Sequence, residues 1–129
     1  MSFRNSNIQF VNFVPNSNLE MIDPRAFEYC SNLSFIKFPL SIEEIGKRAF
    51  SHSRIQSVIF HPYSSLKYIR SYAFQYCSNL TSIIIPSSVQ KLDSGVFEGS
   101  GIQSIDFGLL RGLKMISFKL FANCLNIIN

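Results

Sequence analysis

Three kinds of side chain in this sequence could do chemistry: three cysteines, two histidines and a short glycine cluster. Cys30, Cys77 and Cys124 follow one another at intervals of 47 residues. Thiols could form a disulfide bond or bind a metal ion. In the stacked repeats described below, however, like positions two repeats apart lie about 9–10 Å apart, beyond the ~7 Å limit between the Cα atoms of a disulfide. The spacing therefore predicts three free thiols with a packing role.

The histidines and glycines give no catalytic pattern. Neither His52 nor His61 stands at the spacing from Cys, Asp or Ser that a nucleophilic relay or a zinc site requires. The cluster EGSGI at 98–102 is not a phosphate-binding loop, because no Lys-Ser/Thr pair follows it. We predict surface loops for the histidines, a turn for the glycines, no metal, no cofactor and no enzyme activity. An enzyme with chemistry carried on loops is the less favoured alternative.

Two tripeptides, Asn32-Leu33-Ser34 and Asn79-Leu80-Thr81, are acceptor sequences for N-linked glycans. They would carry glycan if the chain entered a secretory pathway. The same tripeptide also arises from the repeat pattern below, so it indicates no compartment.

Charge and hydropathy exclude several classes of partner. Twelve Lys and Arg stand against eight Asp and Glu, and the basic residues are scattered from Arg4 to Lys119 without a run. This pattern predicts no nucleic-acid partner. The N-terminus lacks the apolar segment of about 7–15 residues of a secretory signal, and no segment reaches the roughly 18 apolar residues of a membrane span. The sequence leaves the location unknown.

A repeat of 23 or 24 residues organises the whole chain. Its Phe positions are Phe27, Phe50, Phe74, Phe97 and Phe121. An aliphatic pair precedes each Phe by eight and five residues: Leu19/Ile22, Ile42/Ile45, Leu66/Ile69, Val89/Leu92 and Leu113/Ile116. The third residue after each Phe alternates between Cys and Ser. A period of this length is typical of stacked repeats, and the alternation indicates a duplicated pair of repeats.

Each repeat predicts three short elements. The Leu33-x-x-Ile36-x-Phe38 segment and its counterparts end in period-two alternation, which is typical of a strand with one buried face. The aliphatic pair predicts a second short extended piece, and the segment around the Phe predicts a turn of α- or 3₁₀-helix. Stacking would place each Phe on the next as a ladder. Glu43 and Lys67 are expected to pair between repeats at the surface.

The pattern Leu-x-x-Ile-x-Ile-Pro-x-Ser-Val-x-x-Leu-x-x-x-x-Phe-x-x-Cys/Ser, clearest from Leu80 to Ser100, resembles the BspA-like leucine-rich repeat. The resemblance implies a right-handed leucine-rich-repeat solenoid, β-rich with mixed α/β character, of about five repeats. It also implies a cell-surface antigen that takes part in adhesion and binds host proteins. We expect one domain over 1–129 that lacks a polar C-terminal cap, so that the chain is a fragment or its open end pairs with something.

We therefore interpret the chain as a non-enzymatic protein-interaction module of a surface adhesion protein, with a spacer repeat that has no ligand of its own as the alternative. The partner would be a host or matrix protein, or a second copy bound through the repeat ends. With Val11, Ile36 and Val58 pointing inward, the strand residues on either side face solvent. The candidate partner-binding residues on that face are Phe10, Phe35, Lys37, Ile59, Ile84 and Asp106.

Overall fold

The computed structural model describes residues 2–107, 115–116 and 120–124, which form ten short strands in five layers. Each layer contributes one strand of three residues and one of two. The strands are β1 (Phe10–Asn12), β2 (Met21–Ile22), β3 (Phe35–Lys37), β4 (Glu44–Ile45), β5 (Ser57–Ile59), β6 (Tyr68–Ile69), β7 (Ser82–Ile84), β8 (Lys91–Leu92), β9 (Ser104–Asp106) and β10 (Met115–Ile116). The predicted solenoid of stacked β-rich repeats is confirmed.

All strand pairs are parallel, because each repeat follows the same path as the one before it. The two-residue strands form one continuous sheet in the order β10-β8-β6-β4-β2. The three-residue strands, which we call the odd strands, form two groups, β1-β3-β5 and β7-β9. Like residues pair between layers, as Ile36 does with Val58 and Ile45 with Ile69. The predicted register is therefore the observed one.

The core lies between the two rows of strands and is built from equivalent positions in successive layers. The strand centres Ile36 and Ile83 are 0% and 3% exposed, and the central ladder residues Phe50 and Phe74 are both 0% exposed. Burial of an aliphatic or aromatic side chain of this size contributes about 1.5–3 kcal/mol. Because one layer cannot bury its own apolar side, the layers stabilise one another.

The predicted Phe ladder is present and has a member that the periodicity analysis missed. Ring centroids of successive ladder residues are 5.2 Å apart for Phe27 and Phe50, 5.3 Å for Phe50 and Phe74, and 5.8 Å for Phe74 and Phe97. Phe3 extends the stack by lying 5.3 Å from Phe27 with nearly parallel rings. Each such stack adds about 0.5–1.5 kcal/mol beyond the buried area.

The predicted helical turn is absent: the described residues contain no helix, and the segment around each Phe is a run of tight turns. Alternate N–H groups bond within the turn and to the next layer. The Ala26 N–H donates to Asp23 O at 3.1 Å, whereas the Phe27 N–H donates to Ala49 O at 2.7 Å. Arg25 and Tyr29 adopt φ values of 60° and 59°, which an α-helix does not allow. Backbone hydrogen bonds to the next layer therefore take the place of the hydrogen bonds that would continue a helix.

Candidate protein-binding face

The odd strands place the candidate residues in two outward columns. Phe10 pairs with Phe35, and Lys37 pairs with Ile59. Ile84 pairs with Asp106 in the second group of strands. The six candidates therefore share one side of the stack, which we call the odd-strand face, although the backbone ladder is broken between β5 and β7.

Exposure differs among the apolar members of this face. Phe10, Ile59 and Ile84 are 65%, 41% and 67% exposed, so the side chain of Phe10 does not fold into the core. Phe35 is half-buried, while Lys37 and Asp106 are exposed. Exposed aliphatic and aromatic side chains between charged residues are typical of interaction surfaces. The strip runs diagonally, from the Phe10 column in the first layers to the Ile84 column in the later ones.

The cysteines are free and hydrogen-bonded, as the spacing predicts for packing residues. The Cys77 thiol donates to Phe50 O at 3.0 Å and lies 3.6 Å from Ser53 Oγ. The Cys30 thiol repeats this arrangement two layers earlier, donating to Phe3 O at 3.1 Å. The alternation of Ser and Cys therefore has a physical basis, because a Cys in one layer contacts the Ser of the layer before it.

Burial makes these thiols poor nucleophiles. Desolvation raises the pKa of Cys77 from 9.0 to about 12, against the opposing effect of the hydrogen bond with Ser53. Burial likewise raises the pKa of Cys30, offset in part by hydrogen bonding with Ser6. A reactive cysteine needs a lowered pKa and access to solvent. Neither property is found at these two positions.

Both histidines are exposed, as the sequence predicts, but His52 has ring contacts that the sequence analysis missed. Its ring centroid lies 4.7 Å from that of Tyr29 and 4.8 Å from that of Tyr76, and its Nδ1 lies 2.9 Å from Ser51 Oγ. All three rings occupy the second position after a ladder Phe. Periodic alignment of that position would have shown the column. His61 lies in a loop and accepts the Tyr63 N–H at Nδ1, 3.0 Å away.

The glycine cluster is a repeat turn, as predicted. Gly99 has a φ of +65°, and a Cβ at this position would meet the ring of Tyr76. It therefore provides both the left-handed backbone and the space for the tyrosine of the layer before it. The sequon residues Asn32 and Asn79 are exposed, and their glycosylation stays a prediction.

Charged side chains on and beside the two-residue strands pair between layers. Lys67 Nζ lies 3.3 Å from Glu43 Oε2, which confirms the expected pair. Arg70 was not singled out from sequence, yet its Nε donates to Glu44 Oε1 at 2.8 Å, and this hydrogen bond raises the pKa of Arg70. Asp93 lies 3.8 Å from Arg70 Nη1. These exposed and half-exposed pairs contribute little stability each, about 0–1 kcal/mol.

The described residues show neither a metal cluster nor a membrane-spanning helix. No group of three or more His, Cys, Asp or Glu side chains lies close enough together there to hold a metal ion. In the same part of the chain, no helix has the length and apolarity that crossing a membrane requires.

Parallel layers of about 23 residues, a Phe ladder and two rows of short strands define a leucine-rich-repeat solenoid. The model of the BspA-type leucine-rich repeat region matches residues 1–128 in six copies. The chain belongs to this family. The repeat pattern predicts about five repeats, and the sixth copy agrees with the additional ladder residue Phe3. None of the curated proteins that were compared matches the chain.

Several solved structures are similar. The leucine-rich repeat protein TpLRR of T. pallidum is 24% identical, with a TM-score of 0.79, over 88% of this chain and 52% of that one. The pneumococcal vaccine antigen PcpA is 34% identical, with a TM-score of 0.75, over 79% of this chain and 25% of that one. A leucine-rich repeat protein from Eubacterium ventriosum is 20% identical, with a TM-score of 0.77, over 87% and 29%. This chain thus spans between a quarter and about half of these structures.

Proposed function

We propose that the chain is a non-enzymatic protein-binding module and that the odd-strand face is its binding surface. The observation that carries the proposal is the diagonal of exposed apolar side chains at Phe10, Ile59 and Ile84, with Lys37 and Asp106 beside it. Exposed apolar side chains along one face, with polar neighbours, favour association with another protein. Membership in a repeat family whose stacked layers offer a long continuous face supports the same reading.

The partner is a protein of the host or of its extracellular matrix, and the chain acts as part of a cell-surface adhesion protein. The pneumococcal relative, 34% identical, is described as a vaccine antigen, and this supports an exposed location for the present chain as well. Labelling of intact cells with an antibody raised against residues 1–129 tests the location. Signal that requires permeabilisation of the cells would contradict it.

Binding is tested by immobilising the chain and measuring surface plasmon resonance with a panel of purified extracellular-matrix proteins. The variant Phe35→Ser/Ile84→Ser removes one half-buried and one exposed apolar side chain from the face. We expect its affinity to fall at least tenfold, because central apolar anchors carry most of the binding free energy of an interface.

The matched control is Met21→Ser/Leu40→Ser, since both side chains are partly exposed, at 39% and 44%, and neither lies on the odd-strand face. Its affinity should stay at the wild-type value, and all proteins should keep their circular dichroism spectra. Equal losses in both variants would reject this face as the binding surface. Wild-type chain that binds no protein in the panel and stays monomeric would instead support the spacer alternative.

A further inference from the structure

A pocket of about 450 Å³ opens on the odd-strand face between β5 and β7. Ile59, Phe60 and His61 line it from one layer, and Ile84 and Ser87 line it from the next. The layers themselves remain joined on the opposite side, where β6 pairs with β8. The pocket is therefore a local opening of one row of strands within an otherwise continuous stack.

A change of residue type explains the opening. An aromatic ring follows each of the first three odd strands and stacks on its neighbour: Phe13 lies 6.5 Å from Phe38, and Phe38 lies 5.2 Å from Phe60. The next layer has Ile85 at this position, and both Phe60 and Ile85 line the pocket. An isoleucine side chain does not cover the face of the Phe60 ring as another ring would. The change from Phe to Ile therefore leaves space between β5 and β7, and no such change occurs between β1 and β3 or between β3 and β5.

The break also changes the backbone hydrogen bonds at the pocket wall. The Phe38 N–H donates to Ile59 O at 2.9 Å, and the Ile85 N–H donates to Asp106 O at 2.7 Å. No corresponding bond joins the Phe60 N–H to Ile84 O within the described part of the chain. Backbone groups of this kind can hydrogen-bond to polar atoms of a bound partner.

The charged residues of the face stand on either side of the pocket. Lys37 neighbours Ile59, and Asp106 neighbours Ile84. Three layer steps separate the two charges by at least about 14 Å, given about 4.8 Å for each paired step and more where β5 and β7 are unpaired, and four residues of extended chain span about 13 Å. Side chains at i, i+2 and i+4 of an extended peptide point to the same side. One residue opposite each charge and one over the pocket would therefore match this spacing.

From this arrangement we propose that the pocket binds an aromatic or large aliphatic side chain of an extended segment of the partner protein. In the partner segment, an acidic residue two positions from this anchor faces Lys37. A basic residue two positions from the anchor on its other side faces Asp106. A volume of about 300–1,000 Å³ is usual for small-ligand pockets, so this one has room for a bulky side chain and adjoining backbone. The inference rests on the proposed function, since it names the partner chemistry of the same face.

The test uses fluorescent peptides with the central sequence Glu-Thr-Phe-Thr-Lys, flanked by glycines and titrated with the intact chain. Fluorescence polarisation should show saturable binding. Replacing the Phe by Ala should weaken binding at least tenfold, because the apolar anchor is lost. Peptides with Glu at both ends or Lys at both ends should each bind more weakly than the mixed peptide. Lys37→Glu should reverse this order by favouring the peptide with two lysines, while Lys47→Glu, an exposed position away from the face, should not.

A substitution that fills the pocket provides the matched protein variant. Ser87 is exposed at the pocket rim, so Ser87→Trp should block the anchor without disturbing the core. Ser78→Trp, at another exposed position, is the control. We expect at least a tenfold loss of peptide binding in the first variant and none in the second.

Absence of saturable binding, equal binding of the Ala peptide, or equal effects of the two Trp variants would overturn the proposal. The proposed function fails separately, because it requires the loss of matrix-protein binding in Phe35→Ser/Ile84→Ser whether or not Ser87→Trp has an effect. Sedimentation velocity shows whether a second copy of the chain, and not a partner peptide, occupies the pocket. If wild-type chain self-associates and only Ser87→Trp is monomeric, the pocket binds a second copy and not the charged peptide.

Discussion

Replacement of Phe74 by Ala should be among the most destabilising single changes in this chain. The ring is 0% exposed and lies between Phe50 at 5.3 Å and Phe97 at 5.8 Å, so both faces are covered. Phe→Ala in a core costs about 3–5 kcal/mol, through lost transfer free energy and the cavity left behind. A domain of this size has about 5–15 kcal/mol of stability in total. The substitution should therefore remove a large fraction of it.

The measurement is urea unfolding followed by far-UV circular dichroism, since the chain has no tryptophan. With an m-value near 2 kcal/mol per molar urea, the midpoint should fall by roughly 1.5–2.5 M. Phe10→Ala is the control, because that ring is 65% exposed and its loss should change stability by about 0.5 kcal/mol or less. Phe118, which the repeat pattern places outside the Phe ladder and outside the aromatic positions that follow the odd strands, lies outside the described residues. Equal midpoint shifts for Phe74→Ala and Phe10→Ala would refute the ladder.

Three further predictions concern the thiols and the turns. In native protein, a thiol reagent should modify Cys124, which is only partly buried, faster than Cys30 and Cys77; equal rates would contradict the burial. The pKa of Cys77 is raised from 9.0 to about 12. The contribution of the neutral thiol to the free energy of unfolding is therefore fully present below pH 9 and is lost as pH rises toward 12. Urea midpoints should therefore fall more steeply with pH above 9 in wild type than in Cys77→Ala, by up to about 1.4 kcal/mol per pH unit, and parallel curves would reject the shift. Gly99→Ala should cost about 1–3 kcal/mol and Gly99→Asn less, because Asn tolerates the φ of +65°; calorimetry that ranks them the other way would contradict this.

The repeat made most of the fold predictable, because one rule applies to every layer. The spacing of the aliphatic pairs and the Phe predicts that Ile45, Ile69 and Phe74 lie in the core, and all three are fully buried. The repeat pattern did not predict Phe3 as a ladder residue, because no aliphatic pair precedes it in the chain. Its signal was Ser6, three residues later, which continues the alternation of Ser and Cys. Reading that position backward from Cys30 would have found the additional copy.

The turn geometry and the pocket depend on information that the repeat pattern does not contain. Arg25 and Arg48 adopt φ values of 60° and 56°, although glycine is the residue that usually occupies this region. In the sequence, only Gly95 and Gly99 of one later layer indicated this left-handed backbone conformation. The opening between β5 and β7 depends on how much of the space beside Phe60 the Ile85 side chain leaves empty, compared with the Phe of the earlier layers. Side-chain packing of this kind follows from three-dimensional contacts and not from periodicity.

The hydrogen bonds of successive layers also have a direction. In the turns the donors point forward along the stack, as from Phe50 N–H to Ala73 O. At the C-terminal ends of the two-residue strands they point backward, as from Gly46 N–H to Ile22 O and from Arg70 N–H to Ile45 O. Peptide dipoles of opposite sense therefore run side by side and partly cancel, unlike the aligned dipoles of an α-helix. A stack of this kind can gain layers without building up a large electric dipole along its axis.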